Sequence, residues 1–286
     1  MSFSEGFWEV DDAGYYGDRE CVSNSTLSVF GKSVPTYHAT FVTGEVASPG
    51  GTEAMEFGRA FHIALLEPDK LEASIAIAPE CDRRTKDGKA TWEAFLISSQ
   101  GKIPLTQRDA EQIVRMRHAV FSNPEAASLL RLPGRNEQAI RWVDQSTGIK
   151  CRAKIDKLTT DGVVIDLKTT QDVSPAEFSK SAFNYGYDRQ AAFYLDGADR
   201  LRQIGVLTEG KGERHHEGHP FFFICVSKAV VPECVVFQPS ERMVDIGATA
   251  NARDLARLRD CRDFNVWEAE TFGKVVTLDL PPWGRR

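Results

Sequence analysis

Asp156, Asp166 and Lys168 are the residues of this sequence whose types and spacing could do chemistry. They lie in two short segments, Lys150-Cys151-Arg152-Ala153-Lys154-Ile155-Asp156 and Val163-Val164-Ile165-Asp166-Leu167-Lys168. Both segments read as strands. In a strand, residues i and i+2 share a face, so Asp166 and Lys168 point the same way. If the strands form a hairpin, Asp156 lies beside them. Two carboxylates and one ammonium at the rim of an apolar sheet suit a divalent metal and a phosphodiester. The alternative is a structural Asp–Lys ion pair, because charges at this depth must be paired or bound to metal.

The elements that position these residues follow from their patterns. Ile149, Cys151, Ala153 and Ile155 alternate with Lys150, Arg152, Lys154 and Asp156, giving one apolar face and one charged, mostly basic face. The run Val163–Ile165 is apolar on both sides, as in a central strand. The spacing predicts strands over 137–144, 149–158 and 163–168, turning at 145–148 and 159–162. Two further strands are expected over 220–227 and 233–238. Helices are expected over 23–31, 53–67, 89–99, 106–121, 124–132, 174–182, 187–204 and 239–261, with a short strand at 74–78. Ser23 or Asn24 caps the first of these helices. Ser174-Pro175-Ala176-Glu177 has the capping-box pattern. The result is an α/β (α+β) fold with a mixed central sheet flanked by helices. Residues 1–22 read as a flexible N-terminal arm and 23–286 as a single domain.

Two helices bring further polar groups. On 53–67, Ala60, Phe61, Ala64 and Leu65 form the apolar stripe and His62 lies to its side. On 187–204, Gln190 and Tyr194 are four apart and share a face. Each, taken singly, also fits a packing role.

Composition bounds the function. Of 286 residues, 42% are hydrophobic and 27% charged, ordinary for a globular chain. No apolar run approaches the ~20 residues of a membrane span, and Met1–Glu5 shows no secretion signal. The expectation is a cytoplasmic protein with no membrane association. Its six scattered cysteines contain no CxxC pair, which argues against a zinc ribbon or an iron–sulfur cluster. The net charge of -6 argues mildly against nucleic acid. Local basic patches weigh the other way: Arg83, Arg84, Lys86 and Lys89 in one, and Lys150, Arg152, Lys154 and Lys157 in the other.

In order, the chain shows Ser25-Thr26-Leu27, Gly58-x-x-x-His62, Asp156, Asp166-x-Lys168 and Gln190-x-x-x-Tyr194. This set resembles the PD-(D/E)XK nuclease superfamily, in its branch with a histidine ahead of the core. A closer likeness is to the RecE-type exodeoxyribonuclease VIII nuclease domain of phages and prophages. It is carried by Phe61-His62-x-x-Leu65-Leu66-Glu67-Pro68, Arg83-Arg84-Thr85-Lys86-x-Gly88-Lys89, Thr147-Gly148-x-Lys150-Cys151-Arg152 and Tyr187-Asp188-x-Gln190-Ala191-Ala192-Phe193-Tyr194-Leu195-Asp196-Gly197. These span about residues 23 to 197; the last third matches loosely. Many relatives have proline before the first aspartate, where Ile155 stands here, a change of backbone stiffness more than of chemistry.

The resemblance implies a metal-dependent exodeoxyribonuclease that digests linear duplex DNA 5′-to-3′ and leaves 3′ overhangs for recombination. Mg²⁺, with Mn²⁺ an alternative, would be held by His62, Asp156, Asp166 and the Leu167 carbonyl. Lys168 would orient the attacking water and stabilise developing negative charge. Gln190 and Tyr194 would position Lys168 or a phosphate, and Glu137 could assist a second metal. Arg83, Arg84, Lys86, Lys89, Trp92, Arg152 and Lys154 are candidates for DNA contact. The resemblance further implies a ring-like homo-oligomer and a single-strand annealing protein of RecT type as partner. An endonuclease, a nuclease arm of a larger complex, and a non-catalytic DNA-end-binding module are the competing readings. A second candidate metal cluster, His215-His216-Glu217-Gly218-His219, sits in a polar loop without the spacing of a helical zinc site.

Overall fold

The computed structural model describes residues 3–47, 51–207 and 220–280. The alternating segment and the apolar run become neighbouring antiparallel strands, β5 (Lys150–Thr159) and β6 (Val164–Thr170), preceded by β4 (Gly134–Val143). Gly148 (φ 71°) and Gly162 (φ 82°) take the left-handed conformation that closes the two intervening turns. With β1 (Gly6–Phe7), β7 (Phe221–Ser227) and β8 (Cys234–Phe237) they form a six-stranded sheet in the order β1-β4-β5-β6-β7-β8. Within this sheet β6 and β7 are parallel and the other named pairs antiparallel. The crossover from β6 to β7 runs through α9 (Pro175–Tyr185) and α10 (Tyr187–Gln203). The short parallel pair β2 (Ile75–Ile77) and β3 (Ile103–Leu105) stands apart. The fold is a mixed sheet flanked by helices, as expected.

The two sheet faces carry separate cores. One gathers Ile140, Trp142, Cys151, Ala153, Ile155 and Val164 under α10 and two helices, α2 (Asn24–Lys32) and α11 (Glu241–Phe264). The other gathers Ile165, Leu167, Phe222 and Ile224 under α4 (Glu53–Leu66), α7 (Gln107–Ser122) and α8 (Pro124–Arg131). β6 contributes to both, which explains its unbroken apolar run. α10 is clamped from two sides. A Cβ on Gly197 would stand 2.9 Å from Trp142 and Ile140, and one on Gly247 of α11 would stand 2.1 Å from the Asp188 carbonyl. Beside Gly247, Asn251 exchanges hydrogen bonds with Arg189 on α10, and Asp254 pairs with the same guanidinium.

Four expectations are corrected. The helix expected from 89 begins at Lys86 (α6, Lys86–Ser98), because the Thr85 hydroxyl accepts from the Gly88 N–H and caps it there. Ser174 makes no side-chain cap at the start of α9; Pro175 alone sets that start. β3, too short to show a period, was not expected. The arm at 1–22 is no loose segment in its described residues. It forms β1 against β4 and α1 (Asp12–Gly17), and Tyr15 and Val22 are buried. Its carboxylates meet cations of the sheet, Arg141 and Lys154, and Arg200 of α10, which helps hold it down.

Candidate active site

β5 and β6 pair only at Lys157–Ile165 and Leu158–Val164, then diverge. Beyond that point the Asp156 carboxylate replaces the missing ladder bond, accepting from the Leu167 N–H at 2.7 Å. On the other side of β5, the flanking pairs Asn136–Lys157 and Gln138–Ile155 place Glu137 of β4 across from Asp156. Glu137 has φ 49°. A left-handed non-glycine residue costs on the order of 1–3 kcal/mol and survives where surrounding structure imposes it.

His62, from α4, completes the group. Its Nδ1 lies 3.4 Å from Asp156 and 3.6 Å from Glu137. One ligand atom from each of His62, Glu137 and Asp156 falls within 4.8 Å of the others. The Glu137 Oε1 atom is buried and has no hydrogen-bond partner. A nitrogen and two carboxylates converging around an unsatisfied oxygen fit a hard or borderline divalent cation. Burial alone would lower the basicity of His62, yet Asp156 and Glu137 outweigh it and push the imidazole up to about 10. Burial likewise opposes ionisation of Asp156, but His62, Lys168 and the Leu167 N–H hold its carboxyl below the ordinary value.

Asp166 and Lys168 form a second group one strand away. They are ion-paired, and Gln190 Nε2 donates to Asp166 Oδ1 at 2.9 Å. Burial raises the Asp166 carboxyl, and the charge of Asp156 adds to the rise. Burial works against the Lys168 ammonium, but Asp166 and Asp156 keep its basicity high. The ammonium also lies 4.7 Å from the centre of the Tyr187 ring. Tyr194 is kept a neutral phenol by burial and by Asp166.

The expected site residues thus separate into two adjoining groups. His62, Asp156 and Glu137 come together, and Glu137 is a direct member of that cluster where an assisting role was expected. Asp166, expected as a metal ligand, pairs with Lys168 and accepts from Gln190, and its Oδ2 is buried without a hydrogen-bond partner. Leu167, whose carbonyl was the expected ligand, gives its N–H to Asp156. Lys154 stands 3.1 Å from Glu137 and 2.8 Å from Asp12. Arg152 is 3% exposed, with Nη1 donating to the Asp18 carbonyl at 2.6 Å. In this arrangement the N-terminal arm covers its guanidinium. Arg83 stacks on Trp92 at 3.7 Å, Arg84 pairs with Asp82, and Lys86 and Lys89 are exposed on the first turn of α6. The histidine cluster at 215–219 lies outside the described residues.

Tyr187 and Asp12 were missed. Tyr187 precedes Gln190 by three residues on one helix, a spacing that shares a face and could have revealed it. Asp12 meets Lys154 across 142 positions of chain, and no local signal announces that contact.

No curated protein matches the chain. Among solved structures, it is similar to a candidate exonuclease from Eubacterium rectale, with a TM-score of 0.59 and 12% identity over 96% of this chain and 97% of that one. At this identity the likeness speaks to the fold, which both chains share over nearly their whole lengths. Residues 23–274 match the model described as a PDDEXK-like domain of unknown function (DUF3799). Those residues hold every member of both charged groups, and the chain accordingly belongs to this family of nuclease-like PD-(D/E)XK domains.

Proposed function

We propose that the protein is a metal-dependent exodeoxyribonuclease of RecE-like type, hydrolysing linear duplex DNA from its ends, 5′-to-3′, to expose 3′ single strands for recombination. The observation that carries this reading is the convergence of His62, Glu137 and Asp156 around a buried carboxylate oxygen that has no hydrogen-bond donor, one strand from Asp166 and Lys168. Mg²⁺, or Mn²⁺ given the nitrogen donor, would be held by His62, Glu137 and Asp156. When bound, such an ion polarises the phosphodiester and lowers the pKa of a coordinated water.

The chain's own residues do the rest. Asp156, anchored by the Leu167 N–H, orients its free oxygen toward His62. Lys168 brings a fixed positive charge to the site, where it stabilises the charge that builds on the phosphate oxygens. Gln190 and the Tyr187 ring hold the Asp166–Lys168 pair in place. The exposed cations of 83–89 fit non-specific phosphate contact, which carries no sequence information. The further elements of the reading are cytoplasmic work, a ring-like homo-oligomer and a single-strand annealing partner.

The test is incubation of the purified protein with end-labelled linear duplex and with covalently closed circular DNA, each in Mg²⁺ or in EDTA. Loss of linear DNA alone, only in Mg²⁺, is the expected result, with the label position giving polarity. Cutting of the circle would replace the exonuclease with an endonuclease. Absence of cleavage in both Mg²⁺ and Mn²⁺ would overturn the catalytic reading.

A further inference from the structure

The first 22 residues carry six carboxylates against one arginine, five of the chain's six net negative charges. They precede residue 23, where the family match begins. Their acids fall on the polar face of β5 in antiparallel order. Glu20 pairs with Lys150, Asp18 with Arg152 at 3.4 Å, and Asp12 with Lys154 at 2.8 Å. Cations at every second strand position recur about every 6.8 Å, a spacing that an extended sugar–phosphate backbone can follow. The row leads straight to Asp156, and its last member, Lys154, already touches Glu137 of the metal cluster.

The arm also covers this face with rings. Tyr15 lies 5.0 Å from the Arg152 guanidinium, and Trp8 lies 3.2 Å from that of Arg141, the residue opposite Arg152 on β4. Carboxylates on the cations and rings on the guanidinium planes are the partners that a single nucleic-acid strand supplies through its phosphates and bases. The fit of the arm is incomplete: Arg152 Nε is buried and has no partner.

We propose that the polar face of β5 is a track for one DNA strand leading to the metal cluster, and that residues 9–20 are an internal polyanion occupying it until substrate displaces them. This rests on the nuclease reading for its ligand. The exchange leaves Lys150, Arg152 and Lys154 paired throughout, carboxylate before and phosphate after. β1 and the backbone bonds of Val22 to Lys150 and Arg152 tether the two ends of the displaced segment.

The test is residue-resolved amide hydrogen exchange on the full chain in Ca²⁺, with and without a 5′-labelled single-stranded oligonucleotide whose binding is followed by anisotropy in the same buffer. Binding accompanied by faster exchange over residues 9–20 is expected. Binding with exchange in that segment unchanged or slowed would overturn the track while leaving the nuclease reading intact. Failure of both single-stranded and duplex oligonucleotides to bind would overturn both. The Asp12→Asn/Asp18→Asn variant, which weakens the ion pairs of Asp12 with Arg59 and Lys154 and of Asp18 with Arg141 and Arg152, should bind the oligonucleotide about tenfold tighter or more. Equal or weaker binding by the folded variant counts against the proposal, and if the variant does not fold, exchange in the wild-type chain decides.

Discussion

The two charged groups on either side of the β5–β6 divergence are built from the same kinds of residue and reach opposite electrostatic solutions. On the β6 side, Asp166 has its cation within the chain, in Lys168, and its second oxygen is taken by Gln190. On the β5 side, Glu137 and Asp156 share His62, and one Glu137 oxygen is left without a donor at a backbone angle that strains the strand. A buried carboxylate without a full complement of partners is costly. Each group keeps one buried carboxylate oxygen without a hydrogen-bond donor, Asp166 Oδ2 and Glu137 Oε1; the first has the Lys168 ammonium against it, while the second faces the His62 imidazole. On the function proposed above, residues of one motif divide between a group that would hold a metal and a group that would supply fixed charge.

The largest effects should come from emptying each side in turn. Asp156→Ala is expected to lower turnover about a thousandfold, the several kcal/mol a metal contributes, and to abolish the upward thermal shift produced by Mn²⁺. Lys168→Met should cost about a hundredfold or more in turnover yet keep that Mn²⁺-dependent shift. If both variants lose the shift, the division between the two sides is wrong.

Glu137→Gln sharpens the contrast. It keeps the shape but weakens a ligand, so metal affinity should fall about ten- to a hundredfold, with activity recovering as Mn²⁺ is raised. Recovery that does not depend on metal concentration would return Glu137 to a structural role. On the self-paired side, Gln190→Ala removes one hydrogen bond to Asp166 and should cost about three- to tenfold in turnover, with metal affinity unchanged by titration calorimetry.

The smallest effect concerns the far end of β5, where the counter-charges come from the arm. Burial opposes ionisation of Asp18, but the N–H groups of Glu20 and Cys21 and the Arg152 guanidinium hold its carboxyl below the ordinary value. Its stabilisation is whole above the unfolded value of roughly 3.9 and is lost as pH falls through the depressed folded value. Amide exchange over residues 6–20 should therefore rise at that acid limit in the wild type, and Asp18→Asn should flatten the dependence.

Much of this arrangement was legible in the sequence because it is local. Alternation along 149–156 fixes which side of β5 is polar, and the cores confirm it by burying Ile149, Cys151, Ala153 and Ile155 together. The apolar run before Asp166 marks a strand buried on both sides, and the four-residue spacing of Gln190 and Tyr194 marks their shared face. What stayed hidden depends on distance or on backbone angle. Glu137 enters the cluster through a left-handed conformation that no hydrophobic pattern records. The basic residues at 83–89 and at 150–154 look alike as text. The first are exposed on α6, while the second are matched by acids more than a hundred positions away. The docked arm was invisible for the same reason, since its polar residues find their partners only in the folded sheet.

The clamp on α10 bears on when the site can exist during synthesis. Arg189, the neighbour of Gln190, is fixed by Asn251, which is made 62 residues later. A growing chain that has released Gln190 from the ribosome has not yet released the helix that braces it. The two charged groups of such a chain are therefore assembled late, and a translation product cut short before α11 would carry their residues without the brace that sets them.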